Sequence, residues 1–377
     1  MGSDLLRMPS DLRPLLTAAS GPARTIAAGL IVLVHTDFLM RPGMETWWPG
    51  GLAFAPVFSL VVPLFLVFSG FFAGESVESA SQVSWKGFLV KKAGRILVPF
   101  LIWNSLLIFT DQVLNKAGWS NDLIFPLLTG QWQLYYLFAL MQLFVLHHFL
   151  ITRPGRSGMQ TLLIPAACFS FLFYLTADVI LWTRGMEANL FETHGNRLFF
   201  AWSLFFALGV WFRQDVNALP RLFARQGLFT ALTVLFYAAY YGELRLEEQL
   251  FGGHALGQIL LAGFFFQVCA CLLILNLLCR WSAGKRAAKI LKSLAALAPD
   301  SYGIYLVHTP ILICLYAFSL PFPIWVEVPV YWVITFLIAF GLVRLVRVQG
   351  RPWLSKLLLG EKTAPGVVTG GSHEKTS

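Results

Sequence analysis

Residues 51–74 read Gly51-Leu-Ala-Phe-Ala-Pro-Val-Phe-Ser-Leu-Val-Val-Pro-Leu-Phe-Leu-Val-Phe-Ser-Gly-Phe-Phe-Ala-Gly74, with no charge anywhere in the run. A helix of that length rises about 36 Å, enough to cross the ~30 Å hydrocarbon core of a bilayer. Apolar runs of this kind recur from Ala23 to Val348 with only short polar breaks. They predict helices at approximately 23–40, 51–74, 94–114, 132–151, 160–182, 197–213, 227–241, 255–279, 302–319 and 325–348. The expected fold class is an all-α integral membrane protein, a bundle of about ten transmembrane helices.

Composition agrees. Hydrophobic residues make up 57% of the 377 positions and charged residues 12%, about half the charged share of a soluble domain. The first twenty residues, with Pro9, Pro14 and charges at Asp4, Arg7, Asp11 and Arg13, lack an apolar core before a small-residue cleavage site, so they read as a tail and not as a signal peptide. Three parts are expected: a cytoplasmic N-terminal tail at 1–22, the membrane domain at 23–348, and a cytoplasmic tail at 349–377, disordered at its Gly-, Thr- and Ser-rich end.

Orientation follows from Lys and Arg, which resist translocation. With the N-terminus inside, 23 of the 28 Lys and Arg residues fall in cytoplasmic segments, leaving Arg41, Lys116, Arg184, Arg197 and Arg245 outside. Both termini are then cytoplasmic. The formal charge of +9 is a product of topology and of attraction to anionic headgroups, and implies no nucleic-acid partner. Lys285, Arg286, Lys289 and Lys292, interleaved with Ile290, Leu291, Leu294 and Leu297, read as a helix lying on the inner leaflet. No Walker-type phosphate loop and no internal repeat is visible. The five cysteines, Cys168, Cys269, Cys271, Cys279 and Cys314, all fall in apolar segments and read as packing residues.

Polar groups inside the apolar runs are the place to seek function, because each needs a partner or a task. Arg24 and His35 are eleven residues apart on the first helix, a rotation of only about 20° and a rise of about 16 Å. They share a face, which suits an anionic cytoplasmic substrate reacting deep in the bundle. The same residues equally fit an Arg24 that snorkels to headgroups and a His35 that bonds a neighbouring helix. Asp37 lies about 200° from His35 and faces the outer interface on this reading. Lys91, Lys92 and Arg95 precede Pro99 at spacings that place them on one face at the inner surface, where they serve either as phosphate ligands or as a topology signal. Ser69-Gly70 fits close helix packing or a backbone approach to a ligand.

The ninth helix opens Asp300-Ser301-Tyr302-Gly303-Ile304-Tyr305-Leu306-Val307-His308-Thr309-Pro310. Asp300 or Ser301 is expected to cap it and Pro310 to kink it. Tyr302, Tyr305 and His308 form a polar ridge that should face the interior. Gln131, Trp132, Gln133, Tyr135 and Tyr136 cluster at the outer end of the fourth helix, as an aromatic belt or a sugar-stacking platform. His147, His148, His194, His254 and His373 read as interfacial or solvated. No metal site is expected, since no carboxylate or second histidine stands at i, i+4 from His35 or His308.

Three stretches together resemble the membrane-bound acyltransferase 3 family over about 23–348. Arg24-Thr-Ile-Ala-Ala-Gly-Leu-Ile-Val-Leu-Val-His35 is similar to its R-x(10)-H first helix, Pro63 to Phe72 to its F-F-x-x-S-G-F segment, and Ser301 to Pro310 to its S-Y-x-x-Y-L-x-H-x-P segment. Two elements depart: R-x-x-R appears as Lys92-Ala-Gly-Arg95, losing one guanidinium fork, and W-F-L as Tyr135-Tyr136-Leu137. No hydrolase-like domain like that of the longer members is seen after the bundle.

The resemblance implies an O-acyltransferase of the bacterial inner membrane that moves an acyl group, acetyl or succinyl, from cytoplasmic acyl-CoA to a hydroxyl of an exported polysaccharide such as a cellulose-like glucan. It implies His35 as general base, His308 and Tyr305 as groups that orient the thioester or stabilise its oxyanion, and Arg24, Lys91, Lys92 and Arg95 as acyl-CoA ligands. Ser69, Tyr135 and Tyr136 are possible substrate contacts. No bound cofactor is expected, with acyl-CoA as co-substrate and the glycan, the bilayer and a polysaccharide synthase or export complex as partners. The competing classes are a proton-coupled transporter or flippase and a structural export subunit.

Overall fold

The computed structural model describes residues 11–36, 51–75, 84–115, 123–151, 160–185, 194–251, 259–317, 323–349 and 351–361. Asp37, Arg41, Lys116, His254 and the tail beyond Glu361 lie outside them, as do the side chains of Lys285 and Arg286. The chain is all-helical, with no strand among the described residues. The long elements are α1 (Arg13–His35), α2 (Val61–Glu75), α3 (Trp85–Lys92 and Val98–Asn115, joined by a π-helical turn at Ala93–Leu97), α4 (Tyr135–Ile151), α5 (Gln160–Arg184) and α6 (Phe199–Gln214). They continue with α7 (Gln226–Phe251), α8 (Leu261–Ala283), α9 (Lys285–Tyr316), α10 (Ile324–Val348) and the short α11 (Pro352–Leu359).

Among the described residues seven helices are long and apolar enough to cross a membrane. The other three expected spans exist as α6, α7 and α9 but fall outside that seven: α6 has 16 residues, α7 carries Glu243, Arg245, Glu247 and Glu248, and α9 carries its basic start and polar ridge. Three departures from the sequence reading have physical reasons. First, α1 starts at Arg13, ten residues before the expected 23, and passes through Pro22. Burial outweighs the lost hydrogen bond, for Leu12, Leu16 and Ala19 are in the core. Second, Lys285 to Pro299 is no separate surface helix; it forms the first turns of α9. Third, neither Asp300 nor Ser301 caps a helix, since both lie within α9 and the helix continues through Pro310. Buried Asp300 instead pairs with Arg344 at 2.7 Å and with Arg347, tying α9 to α10, and Arg347 also binds Glu361 beyond α11.

Small residues set the closest crossings. On α1, a Cβ added at Gly21 would stand 3.2 Å from Ala295 Cβ, and the Thr25 hydroxyl donates to the Leu294 carbonyl at 2.8 Å. At the far end His35 lies beside His308 and Tyr316. From end to end α1 and α9 therefore run side by side in the same direction. The second tight crossing joins α2 to α6, where a Cβ at Gly70 would strike the Phe206 carbonyl and one at Gly209 the Val67 carbonyl. Gly70 thus serves packing, as its sequence context allowed. The five cysteines are free thiols; Cys269, Cys271 and Cys279 are buried, and Cys168 and Cys314 are exposed.

Candidate active site

The parallel pair α1 and α9 carries most of the site. His35 is the last residue of α1 and is partly accessible, and its ring centroid lies 5.3 Å from that of His308. His308 is fully buried. Its Nδ1 lies 2.9 Å from the Tyr305 carbonyl and 3.2 Å from that of Ile304. Carbonyls only accept, so Nδ1 carries the proton, and the Nε2 of the neutral ring is a bare acceptor. Nε2 has no hydrogen-bond partner among the described residues. Pro310 contributes by removing the helical bond to the Leu306 carbonyl one turn earlier.

Tyr305 is buried, and its hydroxyl donates to the backbone carbonyl of Gln133. Its ring meets Tyr136 edge-on at 5.9 Å, and the Tyr136 hydroxyl stands 3.5 Å from Ser69 Oγ, the outer limit of a hydrogen bond. Ser69, Tyr136, Tyr305, His308 and His35 therefore form one continuous polar seam. The Tyr135 ring stacks towards that of Trp202 at 6.5 Å. In its neutral form His308 presents an acceptor at Nε2, and the Tyr305 hydroxyl donates to the Gln133 carbonyl.

One helical stretch further down, Arg24 and Arg95 are close enough to repel each other, and Arg95 also acts on Lys92 and on the hydroxyl of Tyr302. The Lys92 ammonium lies 3.4 Å from the centre of the Phe144 ring, a cation–π contact. No carboxylate among the described residues pairs with Arg24, Lys92 or Arg95. Lys91 is exposed. The spacing argument for these cations changes, because the π-helical turn Ala93–Leu97 separates Arg95 from Lys91 and Lys92 by a wider turn than an α-helix has. That turn is buttressed by the end of α11, where Gly360, at φ 64°, packs against the Arg95 carbonyl so closely that a Cβ would collide.

Sequence reading undervalued the turn that leads into α4. Gly130 has φ 95°, and Trp132 has φ 50°, a left-handed conformation costing a bulky residue on the order of 1–3 kcal/mol. The turn is held from three sides. The amide of buried Asn104 donates to the Pro126 and Leu127 carbonyls at 2.8 Å and its oxygen accepts from Gln131 N at 2.9 Å. Gln131 Nε2 donates to Asp111 at 2.8 Å, and the Arg197 guanidinium donates to the Gly130 carbonyl at 3.1 Å. The Trp132 ring lies 6.4 Å from that of His35. Gln133 is 4% exposed, and neither its amide nitrogen nor its amide oxygen has a partner among the described residues. Leaving one such group unmade costs about 1–3 kcal/mol.

A second polar group, away from the seam, is structural. Asp178 accepts from Leu261 N at 3.1 Å and Glu243 from Ala262 N at 3.3 Å, so two carboxylates satisfy the open amides at the start of α8. Among the described residues no group of three or more His, Cys, Asp or Glu side chains is disposed to hold a metal ion.

A family model described as an acyltransferase domain matches residues 23–346, which contain the whole polar seam and the cation cluster. The chain belongs to the acyltransferase 3 family. Over 233 residues this acyltransferase is similar, at 20% identity, to a protein of Staphylococcus aureus strain MSSA476 called "Probable poly-beta-1,6-N-acetyl-D-glucosamine export protein", and to its counterpart in strain MRSA252. The match covers 60% of this chain and 64% of each relative, so the acyltransferase spans less than two thirds of their length. No solved structure matches it. Its apolar helices and its family together make it a multi-pass membrane protein.

Proposed function

We propose that this acyltransferase moves an acyl group, acetyl or succinyl, from cytoplasmic acyl-CoA to a hydroxyl of an exported polysaccharide, a β-glucan of the cellulose type among the candidates. The observation that carries the reading is the pairing of two features on α1 and its neighbours: an imidazole pair, His35 and His308, and a cluster of cations without carboxylate partners, Arg24, Lys92 and Arg95. Like charges held together without counter-charges are stabilised by a polyanion, and the phosphates of CoA are one. The reading includes ten spans in a bacterial inner membrane, with both termini in the cytoplasm. The parallel course of α1 and α9, first and ninth in that count, supports it, because helices of odd rank run the same way.

In this mechanism the acceptor hydroxyl attacks the thioester carbonyl while His35 takes its proton. The carbon–sulfur bond then breaks, and the proton passes from His35 to the departing thiolate. Nε2 of His308, unprotonated and beside His35, stabilises the transient imidazolium, much as a carboxylate serves a catalytic histidine elsewhere. Tyr136, with Ser69, lines the path of the acyl group. Acyl-CoA is a co-substrate here, and no bound cofactor takes part.

The printed name of the staphylococcal relatives favours a second reading, transport of a glycan by a protein that uses its histidines as proton carriers, alone or within an export complex. Purified protein in nanodiscs, given radiolabelled acetyl-CoA, separates the two. Release or transfer of label above the rate of a His35→Ala variant is the expected result. Absence of both, in protein that still moves a labelled glycan across a vesicle membrane, would favour transport.

A further inference from the structure

The turn at Gln131–Gln133 has three features that the chemistry of acyl transfer leaves unused. Trp132 holds a left-handed backbone conformation that a bulky residue rarely adopts, and three side chains, Asn104 and Asp111 on α3 and Arg197 just before α6, hold the turn around it. The ring so positioned is 44% exposed and lies 6.4 Å from the ring of His35. Gln133, next in sequence, is nine-tenths buried with both ends of its amide unpartnered, and its carbonyl is fixed by Tyr305.

A lipid-belt tryptophan needs neither a forced backbone nor a place beside the ring of His35. An oxyanion site would use only the NH2 of Gln133 and leave its oxygen unmade. A ligand that both donates and accepts uses both ends, and neighbouring hydroxyls on a sugar ring do so. An apolar face beside such hydroxyls is what a pyranose presents to an aromatic ring.

We propose that this turn is the acceptor subsite: a β-linked glucopyranose unit stacks on Trp132, binds the Gln133 amide through two neighbouring hydroxyls, and so points a third hydroxyl at His35. This deepens the acyltransferase reading and rests on it for the direction of transfer, but the binding it requires is separate from chemistry. Asn104, Asp111 and Arg197 are then positioning residues, acting through the shape of the turn.

The test uses the full-length protein in nanodiscs with two probes, cellotetraose and a tetramer of β-1,6-linked N-acetylglucosamine. Binding is followed by calorimetry and transfer from radiolabelled acetyl-CoA or succinyl-CoA by counting. Trp132→Leu is expected to weaken binding of the preferred oligosaccharide and raise its KM about tenfold or more, while Trp132→Phe, which keeps a stacking face, stays within about threefold of wild type. Gln133→Leu, nearly equal in volume, is expected to raise the acceptor KM with no change in acetyl-CoA binding. Oligosaccharide binding unaltered by Trp132→Leu and Gln133→Leu overturns the subsite, as does wild-type protein that binds neither probe. Binding lost in both variants, with no transfer by wild type from either acetyl-CoA or succinyl-CoA, upholds the subsite and instead overturns the acyltransferase reading.

Discussion

The rings of His35 and His308 stand 5.3 Å apart on helices that run side by side, and the inner ring has its Nδ1 proton committed to the backbone carbonyls of its own helix. The pair is therefore asymmetric. His35 is partly accessible and His308 is fully buried and held by its own helix, the order in which the proposed mechanism uses them.

His35→Gln preserves a polar side chain of similar reach but removes the ability to take a proton. Transfer is expected to fall by about 10²-fold or more, with acyl-CoA binding retained. His308→Gln is expected to cost less and to add little when combined with His35→Gln, because both changes act on one proton transfer. Single-turnover rates of the three variants check this, and near wild-type rates in His35→Gln would move the base to another residue.

Arg95→Ala and Arg24→Ala are expected to weaken acyl-CoA binding tenfold or more each, consistent with loss of a charge-assisted bond to phosphate. Lys91→Ala, which removes a charge exposed like that of Arg95 but lying before the π-helical turn, should change affinity less. Equilibrium binding of a non-hydrolysable acyl-CoA analogue at two salt concentrations is the measurement; an unaltered affinity in Arg95→Ala and Arg24→Ala would leave the cluster as a topology signal only.

Gly209→Val drives a side chain into the Val67 carbonyl and towards Phe71 N, 2.7 Å from the position of an added Cβ. A loss of stability of about 3 kcal/mol is expected, because backbone on both sides prevents relaxation. Gly242→Ala on α7, where an added Cβ meets nothing within 4 Å, should be neutral or stabilising. Thermal unfolding in detergent distinguishes the two, and equal midpoints would mean that the α2–α6 crossing opens more readily than its geometry implies.

Reporter fusions after residues 85, 155, 220, 290 and 360 are expected to report cytoplasm, and fusions near 45, 120, 190 and 248 the outside. Two or more reversals would remove the ten-span topology and the direction of transfer drawn from it.

Most helix positions could be read from the sequence because lipid-facing and core-facing positions alike must be apolar, which leaves long, visible runs. The start of α1 was hidden for the opposite reason: Arg13, Thr17 and Ser20 look like loop residues, while the small residues Ala19 and Gly21 matter only once α9 lies against them. The surface helix expected around residues 285–297 is likewise continuous with α9, through Pro299. The shared face of Arg24 and His35 followed from helical period alone, whereas the meeting of His35 with His308 is tertiary and no local pattern encodes it. Trp132 and Gln133 were visible as residues, but a belt tryptophan and a strained one have the same letter. Their backbone angle and missing partners became evident only in three dimensions.

The alignment of α1 also acts as a ruler. Arg24 and His35 are separated by eleven residues of unbroken helix, a rise of about 16 Å. In acyl-CoA the arm between the diphosphate and the sulfur has thirteen bonds, which at roughly 3.4 Å per three bonds extends to about 15 Å. On the proposed reading, a donor held by its phosphates near Arg24 and Arg95 delivers its carbonyl to the histidines only when the arm is nearly straight, the more so because Arg24 Nε turns back to the Ser20 carbonyl at 3.3 Å. A bent arm would fall short, and a free thioester without the nucleotide would find nothing to measure from. Inserting or deleting one helical turn between Arg24 and His35 would spoil that match by about 5 Å while leaving both side chains on nearly the same face.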